Sequence, residues 1–149
     1  MASIRKEVHI AARSQTAWAA LRDVGALHTR LVPGFVTDTR LEEGVRIVTF
    51  GNGMVARELI VDVDDEQQRV VWSVVGGVMT HHNGSAQVFA DDNDGCRFVW
   101  IADLLPNEVA PNIAAMMEQG IAVIKETLER TERQRAPELT DDSRRARCW

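Results

Sequence analysis

The segment from residue 107 to about residue 134 carries its apolar residues on one face, at the spacing of an α-helix. This apolar stripe consists of Val109, Ile113, Met116, Met117, Gly120, Ile121, Ile124 and Leu128. A long helix with a single apolar face must bury that face against another layer of structure. The rest of the chain must therefore supply a sheet that covers it.

The preceding segments predict that sheet. Strand patterns lie at 3–10, 35–41, 45–50, 54–63, 69–75, 81–90 and 96–103, and short helices are predicted at 14–23 and 26–31. Turn signals such as Gly51-Asn52-Gly53 separate the later strands, which predicts an antiparallel meander. The expected fold is α+β: a seven-stranded curved antiparallel sheet around a long C-terminal helix, with two short helices after strand 1. A strongly twisted sheet can wrap a helix and leave a cavity beside it.

Length and charge limit the domain count and the classes of partner. The chain has 149 residues, and we expect one domain over residues 1–135 followed by a mobile polar tail over 136–149. Lys and Arg number 17 against 22 Asp and Glu, so the net charge is −5. Because nucleic-acid binding needs clustered cations, nucleic acid is not an expected partner.

The N-terminal residues and the cysteines bear on location. The N-terminus lacks the apolar core of a signal peptide, and the longest apolar-rich run, 70–79, is interrupted by Ser73, Gly76 and Gly77. We therefore expect no membrane insertion. Cys96 and Cys148 do not form a disulfide framework, which fits a reducing compartment and predicts a cytoplasmic protein.

Four segments occur in an order that is typical of one superfamily: VHIAARSQTAWAALRDVGAL, LVPGFV, RELIVDVDDEQQRVVWSVVGG and CRFVWIADLLP. In this order they resemble the START-like (SRPBCC) superfamily, which includes the birch-pollen-allergen fold and the polyketide cyclase/dehydrase family. The resemblance covers about residues 3–133. It implies a helix-grip fold, in which a curved sheet holds the long helix and an apolar ligand cavity lies between them.

One stretch is more specific. The residues from Glu58 to Asp65, followed by 70–77 and Asn83, are similar to plant abscisic-acid receptors and to the onion lachrymatory-factor synthase. The resemblance implies that Glu58 faces the cavity, together with an arginine on the preceding strand, for which Arg46 is the candidate. The synthase is an enzyme and the receptors are not, so catalysis stays open. In an enzyme, Glu58 would be the general acid or base, and Arg46 would hold an oxyanion or a carboxylate.

Strand alternation and the hairpin turn give different predictions for Glu58. On strand 54–63 the odd positions are the more apolar, so alternation alone places Glu58 on the solvent side. A three-residue loop at 51–53 places Arg46 opposite Glu58, whereas a two-residue turn places Arg46 opposite Leu59. We favour the three-residue loop, with the pair inside the cavity. The alternative is an ion pair on the solvent face.

Large apolar residues and one histidine are the predicted ligand contacts. The expected set is Trp72, Ile60, His82, Trp100, Met116, Met117, Gly120 and Ile124. His81 and His82 are strand neighbours that point to opposite faces, so they cannot share an ion, and no metal or cofactor is expected. Gly120, inside the helix, is consistent either with close packing or with room left for a ligand.

Three functions are compatible with these features. The first is binding of a small, largely apolar ligand of polyketide, lipid or aromatic type. The second is cyclase/dehydratase-type catalysis on such a ligand, with Glu58 as acid or base. The third is a structural or interaction role with a closed core. Either a monomer or a homodimer is expected.

Overall fold

The computed structural model describes residues 2–146, with side chains for residues 2–135. The elements are β1 (Ala2–Ile10), α1 (Ser14–Arg22), a π-helical turn (Leu27–Leu31), β2 (Val36–Glu42), β3 (Val45–Phe50), β4 (Val55–Asp64), β5 (Arg69–Val75), β6 (His81–Ala90), β7 (Cys96–Leu105), a 3₁₀ turn (Asn107–Val109) and α2 (Ala110–Ala146). All strand pairs are antiparallel, in the order β1-β7-β6-β5-β4-β3-β2. The predicted α+β helix-grip architecture is confirmed. The predicted tail over 136–149 begins inside α2, whose backbone runs to Ala146, and its mobility stays a prediction.

The hydrophobic core lies between the concave face of the sheet and the helices. Ile10 and Phe98 from the sheet and Leu128 from α2 are almost completely buried within it, together with Ile121 and Ile124. Each such side chain contributes about 1.5–3 kcal/mol relative to an exposed position. The stripe that the sequence predicts on α2 is therefore the face that packs onto the sheet. None of the described helices is long and apolar enough to cross a lipid bilayer.

Helix α2 is tied to the start of the chain by a polar cluster. The carboxylate of Glu132 accepts hydrogen bonds from Nε of Arg13 at 2.6 Å and from Oγ1 of Thr16 at 2.6 Å. Glu129 accepts one from the backbone N–H of Ala11 at 2.8 Å. These contacts fix the part of α2 around Glu129 and Glu132 beside the segment that joins β1 to α1.

The convex face of β4 carries the apolar residues that alternation predicted to be buried. Val55, Leu59 and Val61 are 62%, 41% and 60% exposed, whereas Glu58 is 7% exposed on the concave side. The turn at 51–53 sets this register, and no described helix covers the convex face. Val55 and Val61 are β-branched, and such residues favour strands even where they stay in contact with water, so their presence here reflects strand propensity rather than burial.

Candidate functional site

A cavity of about 140 Å³ lies between the concave face of the sheet and the first turns of α2. Most of its wall is apolar. The helix contributes Ile113, Met116, Met117 and Ile124, the sheet contributes Val48, Trp72, Phe98 and Trp100 among others, and the segment after the π-helical turn contributes Val32 and Phe35. Three polar residues, Arg46, Glu58 and His82, also belong to the wall.

Arg46 and Glu58 form a buried ion pair in this wall. They lie directly opposite each other on β3 and β4, which confirms the register that a three-residue loop predicts. Nε and Nη2 of Arg46 lie 2.9 Å and 2.6 Å from Oε1 of Glu58, and the two residues are 3% and 7% exposed. The third guanidinium nitrogen, Nη1, donates to the carbonyl of Val24 at 3.4 Å. The predicted inward orientation is confirmed, whereas the catalytic role of the pair stays a prediction.

The hairpin itself explains the register. The backbone N–H of Phe50 donates to the carbonyl of Met54 at 2.8 Å, so the three residues between them form the loop. Gly53 has a φ of +89°, in the left-handed region that favours glycine. The turn sequence therefore places Arg46 directly opposite Glu58.

Trp72 contacts two groups that the sheet register brings close to it. The guanidinium carbon of Arg46 lies 5.5 Å from the centre of the indole ring, a cation–π distance. The second group is Gly84, the direct cross-strand partner of Trp72 on β6. A Cβ atom at Gly84 would lie 2.3 Å from Cε2 of Trp72. Gly84 therefore allows the indole to lie flat against the sheet. The sequence did not predict this role, because it depends on the pairing of β5 with β6.

His82 faces the cavity and His81 faces solvent, as strand alternation predicts. Nδ1 of His82 is buried and makes no hydrogen bond to the described residues. Burial lowers the pKa of His82, and the neighbouring His81 lowers it further. The imidazole is therefore neutral at pH 7.

Comparison with known proteins identifies the family to which the chain belongs. Residues 1–134 match the family model described as polyketide cyclase / dehydrase and lipid transport. The chain belongs to this family. The family lies within the START-like superfamily that the element order resembles, and it is known for binding hydrophobic ligands. No curated protein matches the chain.

Solved structures show the same fold at low sequence identity. An uncharacterised protein from Bacillus thuringiensis has a TM-score of 0.77 and 15% identity, over 85% of this chain and 98% of its own. A START superfamily protein from Mycobacterium smegmatis has a TM-score of 0.66 and 13% identity, over 89% and 97%. Norcoclaurine synthase from Thalictrum flavum, in complex with dopamine and hydroxybenzaldehyde, has a TM-score of 0.66 and 18% identity, over 87% and 85%.

Six of the eight ligand contacts predicted for this family member belong to the cavity wall: Trp72, His82, Trp100, Met116, Met117 and Ile124. Among the described residues, the wall does not include the other two, Ile60 and Gly120. Ile60 is half-buried and packs against the main core beside the bulge in β4. A Cβ atom at Gly120 would lie 2.9 Å from the Trp100 ring and 3.3 Å from that of Phe35. The placement of both residues is corrected, and Gly120 serves close packing.

Gly120→Leu tests that correction. We expect it to lower the free energy of unfolding by about 1–3 kcal/mol, because the larger side chain must displace buried aromatic rings. Ala122→Leu, on the exposed face of the same helix, should stay within about 0.5 kcal/mol of the wild type. Urea denaturation measures both. A Gly120→Leu protein of unchanged stability would instead indicate empty space at this position.

The lowered pKa of His82 predicts a pH dependence of stability. The folded pKa lies below the value of about 6.5 in an unfolded chain, so the unfolded state binds the proton more readily. The contribution of His82 to stability should be fully present above about pH 6.5 and be lost as the pH falls through the folded pKa. Urea denaturation at about pH 7.5 and about pH 5.5 measures this loss. His82→Phe should reduce it more than His81→Phe, which removes only the smaller of the two causes of the lowered pKa; equal losses in all three proteins would contradict the assignment.

Metal ligands do not converge in the described part of the chain. No group of three or more His, Cys, Asp or Glu side chains among those residues is placed to hold a metal ion. Cys96 is buried and free, and burial raises the pKa of its thiol to about 11. The thiol is thus not a reactive thiolate at pH 7. The expected lack of a metal or cofactor stays a prediction.

Proposed function

We propose that this protein binds a small, largely apolar molecule in the cavity between the sheet and α2. The observation that carries the proposal is the cavity itself, walled by Trp72, Trp100 and Phe98 and by Met117 and Ile124 of the helix. A close-packed interior leaves few voids larger than a water molecule, so a space of about 140 Å³ supports binding over a purely structural role. Norcoclaurine synthase, which shares the fold, holds dopamine and hydroxybenzaldehyde.

The volume favours the smallest of the expected ligand types. In another protein, an apolar cavity of about 150 Å³ binds benzene. The present cavity, of about 140 Å³, therefore has room for one ring or a short chain. A polyketide or a lipid would need to extend beyond this space, for example past the wall residue Met54, which is 54% exposed. We infer that a single-ring aromatic compound fits the cavity.

Calorimetric titration with toluene tests the proposal. We expect toluene to bind the wild type, and Ala86→Leu to weaken that binding at least about tenfold, because Ala86 is buried in the cavity wall. Ala122→Leu adds the same atoms to an exposed position of α2 and should leave the affinity unchanged. Absence of toluene binding to the wild type would refute the proposal.

Catalysis is a second candidate, because the structure leaves one oxygen of Glu58 available. Both short contacts of Arg46 go to Oε1, and no described residue donates a hydrogen bond to Oε2. A carboxylate oxygen in the cavity wall can accept a proton from a ligand or return one. The test is to identify by mass spectrometry a compound that co-purifies from the native host, and to follow its conversion. An enzyme should convert it, and the double variant Arg46→Met with Glu58→Leu, which removes both charges of the pair together, should not; no conversion by the wild type would contradict catalysis.

The predicted cytoplasmic location and the choice between monomer and homodimer stay predictions.

A further inference from the structure

The polar groups of the cavity wall lie on one transverse row of the sheet. Arg46 is opposite Glu58, and Glu58 is opposite Val74. The last pair of β5 with β6 is Ser73 with Asn83, so the next position in the same register places His82 opposite Val74. Because neighbouring strands are about 4.8 Å apart, the backbones of Glu58 and His82 are separated by about 10 Å. A ligand ring that lies over Val74 would therefore meet polar side chains only at the two ends of this row. The Arg46–Glu58 pair forms one end and His82 forms the other.

The end of the row that Arg46 and Glu58 form carries no net charge. The charge of Arg46 is balanced by Glu58 at 2.6 Å, and Nη1 of Arg46 is engaged by the carbonyl of Val24. No cation is left over to neutralise an acidic ligand. A ligand carboxylate here would also meet the second oxygen of Glu58, and burying an uncompensated anion is costly. This end of the row therefore disfavours acids.

The other end offers an unused hydrogen-bonding atom. Nδ1 of His82 has almost no accessible surface, so neither water nor a molecule in the cavity reaches it in this ring orientation, and it makes no hydrogen bond to the described residues. In a neutral imidazole that nitrogen carries either a proton or a lone pair, according to the tautomer. A hydroxyl group both donates and accepts, so it can satisfy either tautomer. The last side-chain torsion of histidine is broad, so a modest rotation of the ring can direct a nitrogen to the ligand.

We propose that the cavity selects a neutral single-ring compound that carries a hydroxyl group, and that His82 is the residue that recognises the hydroxyl. This inference rests on the proposed function and specifies its ligand class. Leaving a buried polar atom unsatisfied is unfavourable, so a ligand that supplies the missing hydrogen bond gains affinity over an apolar ligand of the same shape.

Phenol and toluene test the inference, because they differ by a hydroxyl in place of a methyl group. Calorimetry gives the ratio of their dissociation constants for the wild type, His82→Phe and His81→Phe. The relative preference for phenol should fall by about tenfold in His82→Phe, which keeps an aromatic ring but no nitrogen. It should be unchanged in His81→Phe, whose side chain is exposed. Benzoate should bind the wild type more weakly than phenol.

The outcomes separate this inference from the proposed function. If the wild type does not bind toluene, the proposed function itself fails. If toluene binds but the ratio is the same in His82→Phe, the role of His82 is overturned and apolar binding stands. Tighter binding of benzoate than of phenol would overturn the neutral-ligand part. If His82→Phe does not fold, ¹⁵N NMR of the wild type decides: phenol should shift the imidazole resonances of His82 and toluene should not, and equal shifts would overturn the inference.

Discussion

Glu58→Gln should lower the free energy of unfolding by about 3–5 kcal/mol, because it leaves the buried guanidinium of Arg46 without its counter-charge. The two side chains are almost completely buried, and two nitrogens of Arg46 contact the same carboxylate oxygen. The same guanidinium also packs over Trp72. Loss of the pair should therefore loosen the packing of both Arg46 and Trp72 in the cavity wall. Urea denaturation at constant pH measures the effect.

Two further variants make this prediction specific to a buried pair. Arg46→Met combined with Glu58→Leu removes both charges and should recover much of the loss. Glu42→Gln breaks the exposed ion pair with Arg40, at 3.2 Å on neighbouring β2, and should cost less than about 1 kcal/mol. A cost under about 1 kcal/mol for Glu58→Gln as well would mean that water reaches the Arg46–Glu58 pair.

Gly84→Val should destabilise the protein by about 3 kcal/mol or more, at the upper end of the range for overpacked cores. The new side chain starts from a Cβ position 2.3 Å from the Trp72 ring, and the guanidinium of Arg46 also packs against that ring. Strand propensity favours valine over glycine by no more than about 1 kcal/mol, so the steric cost prevails. The displaced indole should also enter the cavity and weaken toluene binding.

The partner of Gly84 provides the control. In the double variant Trp72→Leu with Gly84→Val, the smaller side chain at 72 should make the Gly84→Val substitution much less costly, which a double-mutant cycle measures as coupling. Ser85→Val, at the next position of β6 on the opposite face, should change stability only slightly. Equal costs for Gly84→Val in the presence and absence of Trp72 would show that the indole is not the obstacle.

The fold could be predicted because its main signals are local. The stripe of α2 has helical periodicity, and the turns between strands have glycine and asparagine at fixed places. The loop at 51–53 also determines the pairing of Arg46 with Glu58, so a tertiary contact followed from a turn. Alternation failed on β4, because Val55, Leu59 and Val61 lie on a convex face that no described helix covers. Apolar strand residues by themselves do not say which face is buried.

The site was predicted less completely because it depends on distances between strands and helix. Gly84 acts through its contact with Trp72 on the neighbouring strand, which the sequence does not reveal. Gly120 packs against Trp100 and Phe35, which lie far from it in the chain, so its two interpretations could not be separated. The unpartnered nitrogen of His82 is likewise a property of the packed structure.

Intermolecular nuclear Overhauser effects from bound toluene test the central claim most directly. Binding in the cavity predicts contacts from the toluene protons to the indole of Trp72 and to the methyl groups of Met117 and Ile124, all of which belong to the cavity wall. Contacts confined to Val55 and Val61, on the exposed convex face, would show that toluene binds a surface patch and would contradict ligand binding in the cavity.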